Sequence, residues 1–189
     1  SEMCIRDSSI TCLLNAADKP VIQIHTDNSS LIFRVADNGR LYQSYLGKKL
    51  NHEADISHLP QGTEAYITHG MEDYFEPAIH ILHNDGNPSL LLKYVSHETK
   101  AVSQGVNETI ITLGDDKYPV TVKLHYVTYP AEDIIKTYTE ISHKEKKPVV
   151  LHQYASSMLH LNRAKYYLTE FSGDWAHEAN ISDQPLEFG

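Results

Sequence analysis

The chain has 189 residues and a formal net charge of −9, with 41% hydrophobic and 22% charged side chains, a composition typical of one folded globular domain and unlike that of a disordered chain. The acidic balance argues against a nucleic-acid partner, because affinity for phosphate backbones comes from Lys and Arg. A membrane partner is not expected either, because no apolar run approaches the ~20 residues that a spanning helix requires.

Residues 1–9 differ from the rest of the chain. They begin Ser-Glu-Met-Cys-Ile-Arg-Asp-Ser, which lacks the long apolar stretch of a signal peptide and resembles a translated library adapter from an assembled metagenome. We therefore interpret residues 1–9 as a non-native or disordered leader and residues 10–189 as one domain. Because the native N-terminus is not seen, the bacterial cytoplasm and the periplasm or extracellular medium both stay open as the compartment.

The first clear pattern is a hairpin near the start of the domain. Leu31–Val35 is β-rich and predicts a strand, and Leu41–Leu46 predicts the strand that returns beside it. Asn38 and Gly39 lie between them, and Asn-Gly favours a tight hairpin turn because both residue types tolerate positive φ. Residues 51–62 are the longest polar stretch of the chain and predict a surface loop.

Further β-rich segments follow along the chain, and polar turns rich in Gly, Asp, Asn, Lys and Pro separate several of them. Their content of Val, Ile, Thr and Tyr is typical of half-buried strands. The predicted strands are Ile79–His83, Leu90–Val95, Asn107–Leu113, Val120–Tyr129, Ile134–His143, Val149–His160 and Tyr166–Phe171.

One strand shows strict alternation between apolar and polar residues. Val120, Val122, Leu124 and Tyr126 share one face of it, and a period of two places such a face on a core. Helical patterning is limited to a single turn at residues 131–135. Closely spaced strands with turns between them and almost no helix predict an all-β fold, here a large antiparallel β-sandwich.

The residues give no pattern for metal or nucleophilic chemistry. His80 and His83 are three positions apart on a predicted strand and therefore face opposite sides, so we interpret the twelve histidines as scattered surface or interface residues. The sequence contains no Gly-x-Ser-x-Gly elbow, no paired Cys and His zinc motif and no Gly-rich phosphate loop. We expect neither a metal nor an organic cofactor.

Two regions could contact a ligand. Glu72, Asp73 and Glu76 cluster in one loop, which we interpret as solvated, with direct sugar contact as the alternative. Trp175 is the single Trp of the chain, and its large ring could stack on a sugar face or seal an interface. We favour core or interface packing for this side chain.

Five segments in chain order resemble α-galactosidases of glycoside hydrolase family 36, most closely those of Bacteroidetes-type bacteria. His69–Ala78 is similar to the family's Tyr-Gly-x-x-Asp-Phe segment followed by Pro-Ala, with His in place of the first Tyr. Gly173–Glu178 is similar to its Gly-x-Trp-x-x-Glu motif. One departure, Thr137 and His143 where many members have Arg and Asn, suggests a subgroup. The other three segments are Asp85–His97, Glu108–Asp115 and Leu124–Tyr126.

The resemblance implies a parent protein with a large N-terminal β-sandwich, a catalytic (β/α)8 barrel and a small C-terminal β domain. Family members use one Asp as nucleophile and another as acid/base, both in the barrel, in a retaining double displacement. The chain would then be a non-catalytic accessory and assembly domain of an α-galactosidase that acts on terminal α-linked galactose, without a cofactor and as a homo-oligomer. Because the family sandwich is longer than this chain, we expect the chain to end before the last strands.

Two other functions stay open. The parent could be an α-N-acetylgalactosaminidase on the same scaffold, or the chain could be a free-standing carbohydrate-binding sandwich. A binding module needs exposed aromatic platforms that stack on sugar faces, for which the chain offers one Trp and twelve Tyr.

The resemblance assigns no catalytic residue to this chain. In some family members the sandwich of one subunit contributes to the rim of a neighbour's active site, and we expect Asp55, the single Asp of the loop at 51–62, in that role. The residues expected in interface or structural roles are Asp73, Pro77, Gly173, Trp175 and Glu178.

Overall fold

The structure is a computed structural model. It divides into two compact units on either side of the step from Met158 to Leu159. The expected leader at residues 1–9 and the site residue Asp73 lie outside the part that the structure describes. The described residues are 19–70, 76–161, 166–175 and 177–185.

The described residues form antiparallel sheets and one short helix. In the first unit β1–β4 form one four-stranded sheet, β6–β9 form a second one, and β5 pairs with β10. In the second unit β11 pairs with β12. No helix among the described residues is long and apolar enough to cross a membrane. The elements are β1 (Val21–His25), β2 (Ser29–Val35), β3 (Leu41–Lys48), α1 (Glu53–Ser57), β4 (Thr63–Glu64), β5 (Ile79–Leu82), β6 (Lys93–Ser103), β7 (Val106–Gly114), β8 (Val120–Tyr129), β9 (Ile134–His143), β10 (Val150–Tyr154), β11 (Tyr167–Asp174) and β12 (His177–Pro185).

The two four-stranded sheets share one hydrophobic core. Ile24 and Phe33 from the first sheet and Leu124 and Tyr126 from the second belong to the same buried cluster. The rings of Phe33 and Tyr126 are in contact, with their centroids 5.2 Å apart. Burying a side chain of this kind contributes roughly 1.5–3 kcal/mol. The predicted all-β sandwich is therefore confirmed.

The period-two prediction is confirmed for the inner face of β8, whereas His125 on the face predicted to meet solvent is 6% exposed. This strand and β9 have the predicted bounds. Each apolar residue of β8 pairs with a residue of β7 or β9 that lies on the same face of the sheet, and these cross-strand pairs stabilise the alternating arrangement. The four residues predicted to face the core, all at most 4% exposed, are Val120, Val122, Leu124 and Tyr126.

The predicted hairpin between β2 and β3 is present, but its turn uses one positive φ instead of two. Gly39 has φ +79°, and its N–H donates to the Ala36 carbonyl at 2.9 Å. Asn38 contributes its side chain, since its Oδ1 accepts the Arg40 N–H at 2.9 Å. The five-residue connection at 36–40 therefore needs the conformational freedom of Gly only at its last bend.

Two predictions about short helical segments are wrong. Residues 131–135 are not helical, because 130–133 form the turn after β8 and the next two residues begin β9. Conversely, the polar stretch at 51–62 is not a bare loop but contains α1. The helix is tied to the core by Ile56, which is 4% exposed, and an apolar anchor of this kind stabilises a helix too short to form alone.

Several predicted strands have different bounds. The segment predicted from Leu90 to Val95 begins its strand only at Lys93, because the Leu91 N–H donates to the Asp115 carboxylate at 2.5 Å instead of to a strand. The strand predicted over 149–160 covers only β10. The sequence predictions do not include β1, β4 or β12.

Side chains of two turns connect the sheets at one end of the sandwich. Asp133, in the turn between β8 and β9, has φ +56° and accepts hydrogen bonds from the hydroxyl groups of Thr26 and Ser29, the latter at 3.1 Å. The Asp27 N–H donates to the Pro130 carbonyl at 3.2 Å. These contacts hold the β1–β2 turn of one sheet against the β8–β9 turn of the other.

We expect Asp133→Ala to destabilise the chain by about 1–3 kcal/mol, because it removes two hydrogen bonds to a carboxylate. It also leaves at positive φ a residue whose side chain, unlike that of Asp, cannot form local hydrogen bonds. Asp133→Gly also lacks the carboxylate acceptor, but Gly adopts positive φ without strain, so this variant should lose less stability than Asp133→Ala. Asp133→Asn should lose least, because Asn tolerates positive φ and keeps an acceptor. Urea unfolding of the three variants measures the order, and equal stability of Asp133→Ala and the parent chain would contradict it.

Candidate functional site

The outer face of the second sheet carries a partly buried polar cluster. Glu108 on β7, His125 on β8 and Tyr138 on β9 are cross-strand neighbours. His125 Nδ1 lies 2.9 Å from Glu108 Oε1 and the Tyr138 hydroxyl donates to the same oxygen at 2.6 Å. Lys100 Nζ from β6 lies 3.0 Å from Glu108 Oε2. The cluster therefore joins all four strands of this sheet.

The electrostatics of this cluster centre on Glu108. Hydrogen bonds from Tyr138 and His125 outweigh the effect of burial and, with Lys100, lower the pKa of the Glu108 carboxyl to about 2. The same hydrogen bond to Glu108, together with burial, raises the pKa of the Tyr138 phenol. Glu108 is therefore an anion over the whole physiological pH range.

His125 is more enclosed than its position on an outer face suggests. It is 6% exposed and stacks on Tyr138 with ring centroids 4.3 Å apart. Its Nε2 is buried without a hydrogen bond among the described residues and lies 3.7 Å from Glu140 Oε2. The ring thus lies between the carboxylates of Glu108 and Glu140.

A second cluster surrounds His83 near the end of β5. His83 Nδ1 lies 2.7 Å from Glu145 Oε1, and Nε2 lies 3.0 Å from the Ser89 carbonyl oxygen. Carboxylate and carbonyl oxygens accept hydrogen bonds, so each ring nitrogen of His83 faces an acceptor. Tyr118 stacks on this ring with centroids 3.5 Å apart, and its hydroxyl donates to Asp85 Oδ2 at 2.9 Å.

The Glu145 carboxyl is the side-chain partner of His83. Burial alone raises the pKa of the Glu145 carboxyl, but hydrogen bonds from His83 and from the Asn84 backbone outweigh it, so the net shift is downward. Side chains of both partners are at most 2% exposed. Removal of one partner from such a pair leaves a buried charge without compensation.

Three further histidines lie together beside the β5–β10 pair. His80 stacks on His69 with ring centroids 3.8 Å apart and lies 4.8 Å from the ring of His152. His152 is the extra residue of a bulge in β10, which is how it reaches this face. Burial and the two neighbouring rings lower the pKa of His80. The described residues contain no group of three or more His, Cys, Asp or Glu side chains that could hold a metal ion.

The histidine interpretation from the sequence is therefore only partly correct. His80 and His83 do face opposite sides, since one joins the stack of imidazoles and the other the ion pair with Glu145. The view that the histidines are scattered surface or interface residues is wrong for His83 and His125, which are 2% and 6% exposed. Their glutamate partners are distant in sequence, so no local spacing could have indicated the pairs.

The residues predicted for rim and interface roles lie in different parts of the chain. Asp55 is exposed on α1. The Pro77 carbonyl accepts from Gln153 Nε2 at 3.0 Å. Gly173 lies at the irregularity of β11 and Trp175 at the β11–β12 turn, where it is 92% exposed and so not a core residue. Glu178 belongs to β12 by its backbone. The interface roles stay predictions.

Two pockets in the first unit do not bring two carboxylates together. One, bounded by Tyr66, Tyr126 and Met158 among others, holds about 10 Å³, enough for one water molecule, and has no carboxylate in its lining. The other holds about 360 Å³ and has Glu145 as its one lining carboxylate. A retaining glycosidase site needs two carboxyl groups about 5–5.5 Å apart, and neither pocket has that arrangement.

The first unit consists of two antiparallel sheets packed over one core, with a cross-strand polar cluster on an outer face. This arrangement defines a β-sandwich domain. The family model described as Glycosyl hydrolase family 36 N-terminal domain matches residues 34–189. The chain therefore belongs to this family of N-terminal domains, as its ordered motifs predicted.

The similar proteins are longer than this chain. It is 25% identical over 133 residues to probable alpha-galactosidase G of Aspergillus terreus and to alpha-galactosidase C of Emericella nidulans, covering 64% of this chain and 18% of each relative. The solved alpha-galactosidase AgaA of Geobacillus stearothermophilus is similar with a TM-score of 0.80 at 19% identity, over 90% of this chain and 28% of that one. The solved Lactobacillus brevis alpha-galactosidase has a TM-score of 0.75 at 20% identity, over 88% and 27%. These structures support the sandwich fold.

The low pKa of Glu108 predicts an acid-dependent loss of stability. A folded-state pKa of about 2 against an ordinary 4.5 contributes stability that is fully present above pH 4.5 and is lost as the pH falls toward 2. After allowance for solvent screening, we expect this carboxyl to contribute about 1–2 kcal/mol to the free energy of unfolding above pH 4.5. Glu108→Gln should remove that pH-dependent part.

Tyr138→Phe is the matched variant, because it removes the largest cause of the shift and keeps the carboxyl. It should move the acid transition of Glu108 to higher pH. Unfolding free energies between pH 2 and 7, with the Glu108 carboxyl carbon followed by NMR, measure both effects. If the two variants and the parent chain lose stability in parallel over this range, the assigned hydrogen bonds do not control the acid transition.

Proposed function

We propose that this chain is a non-catalytic N-terminal domain of a retaining α-galactosidase that hydrolyses terminal α-D-galactosyl residues of galactosides and galacto-oligosaccharides. The observation that carries the proposal is the match of residues 34–189 to the family of N-terminal domains. The similar proteins, two curated and two solved, are named α-galactosidases. The chain spans 18% to 28% of their lengths, which leaves most of such a protein for catalysis.

The geometry of the described residues supports an accessory role over a catalytic one. Neither described pocket places two carboxylates around a common space. The most strongly shifted carboxyl, Glu108, is held as an anion by three donors, whereas a general acid needs a raised pKa. The nucleophile and the acid/base of the proposed parent are therefore assigned to a (β/α)8 barrel in the same polypeptide.

The two sheets suit the assembly part of this role. They share one hydrophobic core, and the outer face of the second sheet carries a polar network that connects neighbouring strands. A rigid scaffold of this kind positions loops for function. In the proposed homo-oligomer, α1 contributes Asp55 to the rim of a neighbouring subunit's active site.

We expect Asp55→Asn in the complete enzyme to raise KM by about threefold to tenfold with little change in kcat, because a rim residue contributes to binding more than to the chemical step. Glu53→Gln on the same helix is the matched control, since it removes an equal charge two residues away, on a different side of the helix, without the proposed contact. Steady-state kinetics on a galactoside measures the split. Equal effects of both variants on KM would show a general charge effect and contradict the role of Asp55.

The function itself is tested on the complete open reading frame that contains this chain. The enzyme should hydrolyse p-nitrophenyl α-galactoside with retention of the anomeric configuration, followed by NMR of the first-formed product. Hydrolysis of p-nitrophenyl α-N-acetylgalactosaminide in preference would instead support the alternative parent. The 189-residue chain should be inactive and should not bind galactose. Measurable galactose binding by this chain would favour the carbohydrate-binding alternative.

A further inference from the structure

The larger of the two described pockets has an unusual lining. Tyr118, Pro119 and Asn84 form one side of it, and the turn at residues 144–147 between β9 and β10 forms the other. The volume of about 360 Å³ lies within the range of small-molecule sites, which are about 300–1,000 Å³. Three of the four turn residues are Lys, so the mouth of the pocket is basic in a chain whose net charge is −9.

The lysines of this turn differ from half of the other lysines of the first unit. Four of those eight lysines are paired with carboxylates, in the pairs Lys19–Asp37, Lys93–Asp116, Lys100–Glu108 and Lys123–Glu140. No ion pair involves Lys144, Lys146 or Lys147 within the described residues. Their charges converge on one pocket without an internal counterion.

The one carboxylate in the lining does not neutralise these lysines. Glu145 turns inward, where His83 Nδ1 lies 2.7 Å from its Oε1 and the Asn84 N–H donates to its Oε2 at 3.1 Å. The carboxylates of Asp85 and Asp115 are also engaged in hydrogen bonds. Asp85 accepts the Tyr118 hydroxyl, and Asp115 accepts the N–H groups of Lys117 and Tyr118.

The pocket is held in shape by contacts that do not use the lysine side chains. The Lys144 N–H donates to the Pro119 carbonyl at 2.8 Å, which fixes the turn to the start of β8. Tyr118 is 8% exposed and is fixed by its stack on His83. A binding site whose walls are already ordered loses little conformational entropy when a ligand enters.

We propose that this pocket binds a sugar-sized molecule that carries a phosphate or sulfate ester. Lys ammonium groups are mobile point charges that bind tetrahedral oxyanions, and three of them without counterions supply that charge. The apolar wall made by Pro119 and the edge of Tyr118 accommodates the body of the ligand, as aromatic and apolar walls do in small-molecule sites. The site belongs to the first unit and does not depend on the activity proposed for the parent protein.

The test uses the 189-residue chain labelled with nitrogen-15 and titrated separately with a hexose phosphate, a hexose sulfate, the parent hexose and inorganic phosphate. At least one ester should bind saturably, shift the amide signals around residues 118–119 and 144–147, and bind more tightly than the hexose or the free anion. Its affinity should fall as salt is added, because the contacts are between exposed charges. The two ester arms distinguish a phosphorylated from a sulfated ligand.

The double variant Lys146→Gln/Lys147→Gln should weaken ester binding by at least about tenfold, which corresponds to about 1.4 kcal/mol. Lys48→Gln/Lys49→Gln is the matched control, because it removes the same charge from adjacent lysines that do not line the pocket, and it should change binding by less than about twofold. Amide spectra confirm that both variants fold. Absence of saturable binding, equal loss in both variants, or equal affinity for ester and free phosphate would each overturn the proposal.

Discussion

Burial of the inner faces of the two four-stranded sheets against each other is the constraint on which the rest of this structure depends. Phe33 of one sheet contacts Tyr126 of the other, and alternate residues of each strand contribute to the same core. Because side chains alternate along a strand, fixing the inner face also fixes which residues lie on the outer face. His125 and Glu108 therefore become neighbours on the outer side as a consequence of how the core is filled.

The outer surface of the sandwich shows how this fold accommodates charge. Two histidine–glutamate pairs, His83 with Glu145 and His125 with Glu108, are buried with their hydrogen-bonding groups largely satisfied. Buried pairs of this kind add little net stability compared with apolar residues, but the loss of one partner is strongly destabilising. They therefore constrain strand register and turn position more than they increase total stability.

These features fit an accessory domain better than an active site. The strongly perturbed carboxyl of Glu108 is stabilised as an anion, which is the opposite of what an acid catalyst requires. Family membership over residues 34–189 and the small share of each relative that is covered agree with a division of labour along a longer polypeptide. The lysine-lined pocket is the place where we propose that this domain binds a ligand of its own.

The sequence by itself determined the all-β class, the core face of β8, the turn at Gly39 and the resemblance to family 36, because alternation, turn residues and motifs are local properties of the chain. Only the tertiary structure decided that β5 pairs with β10 and that His83 meets Glu145, 62 positions further along the chain. It also decided that α1 forms in a polar stretch, since Ile56 reaches the core. Such contacts depend on how distant segments pack, and no spacing within one segment encodes that packing.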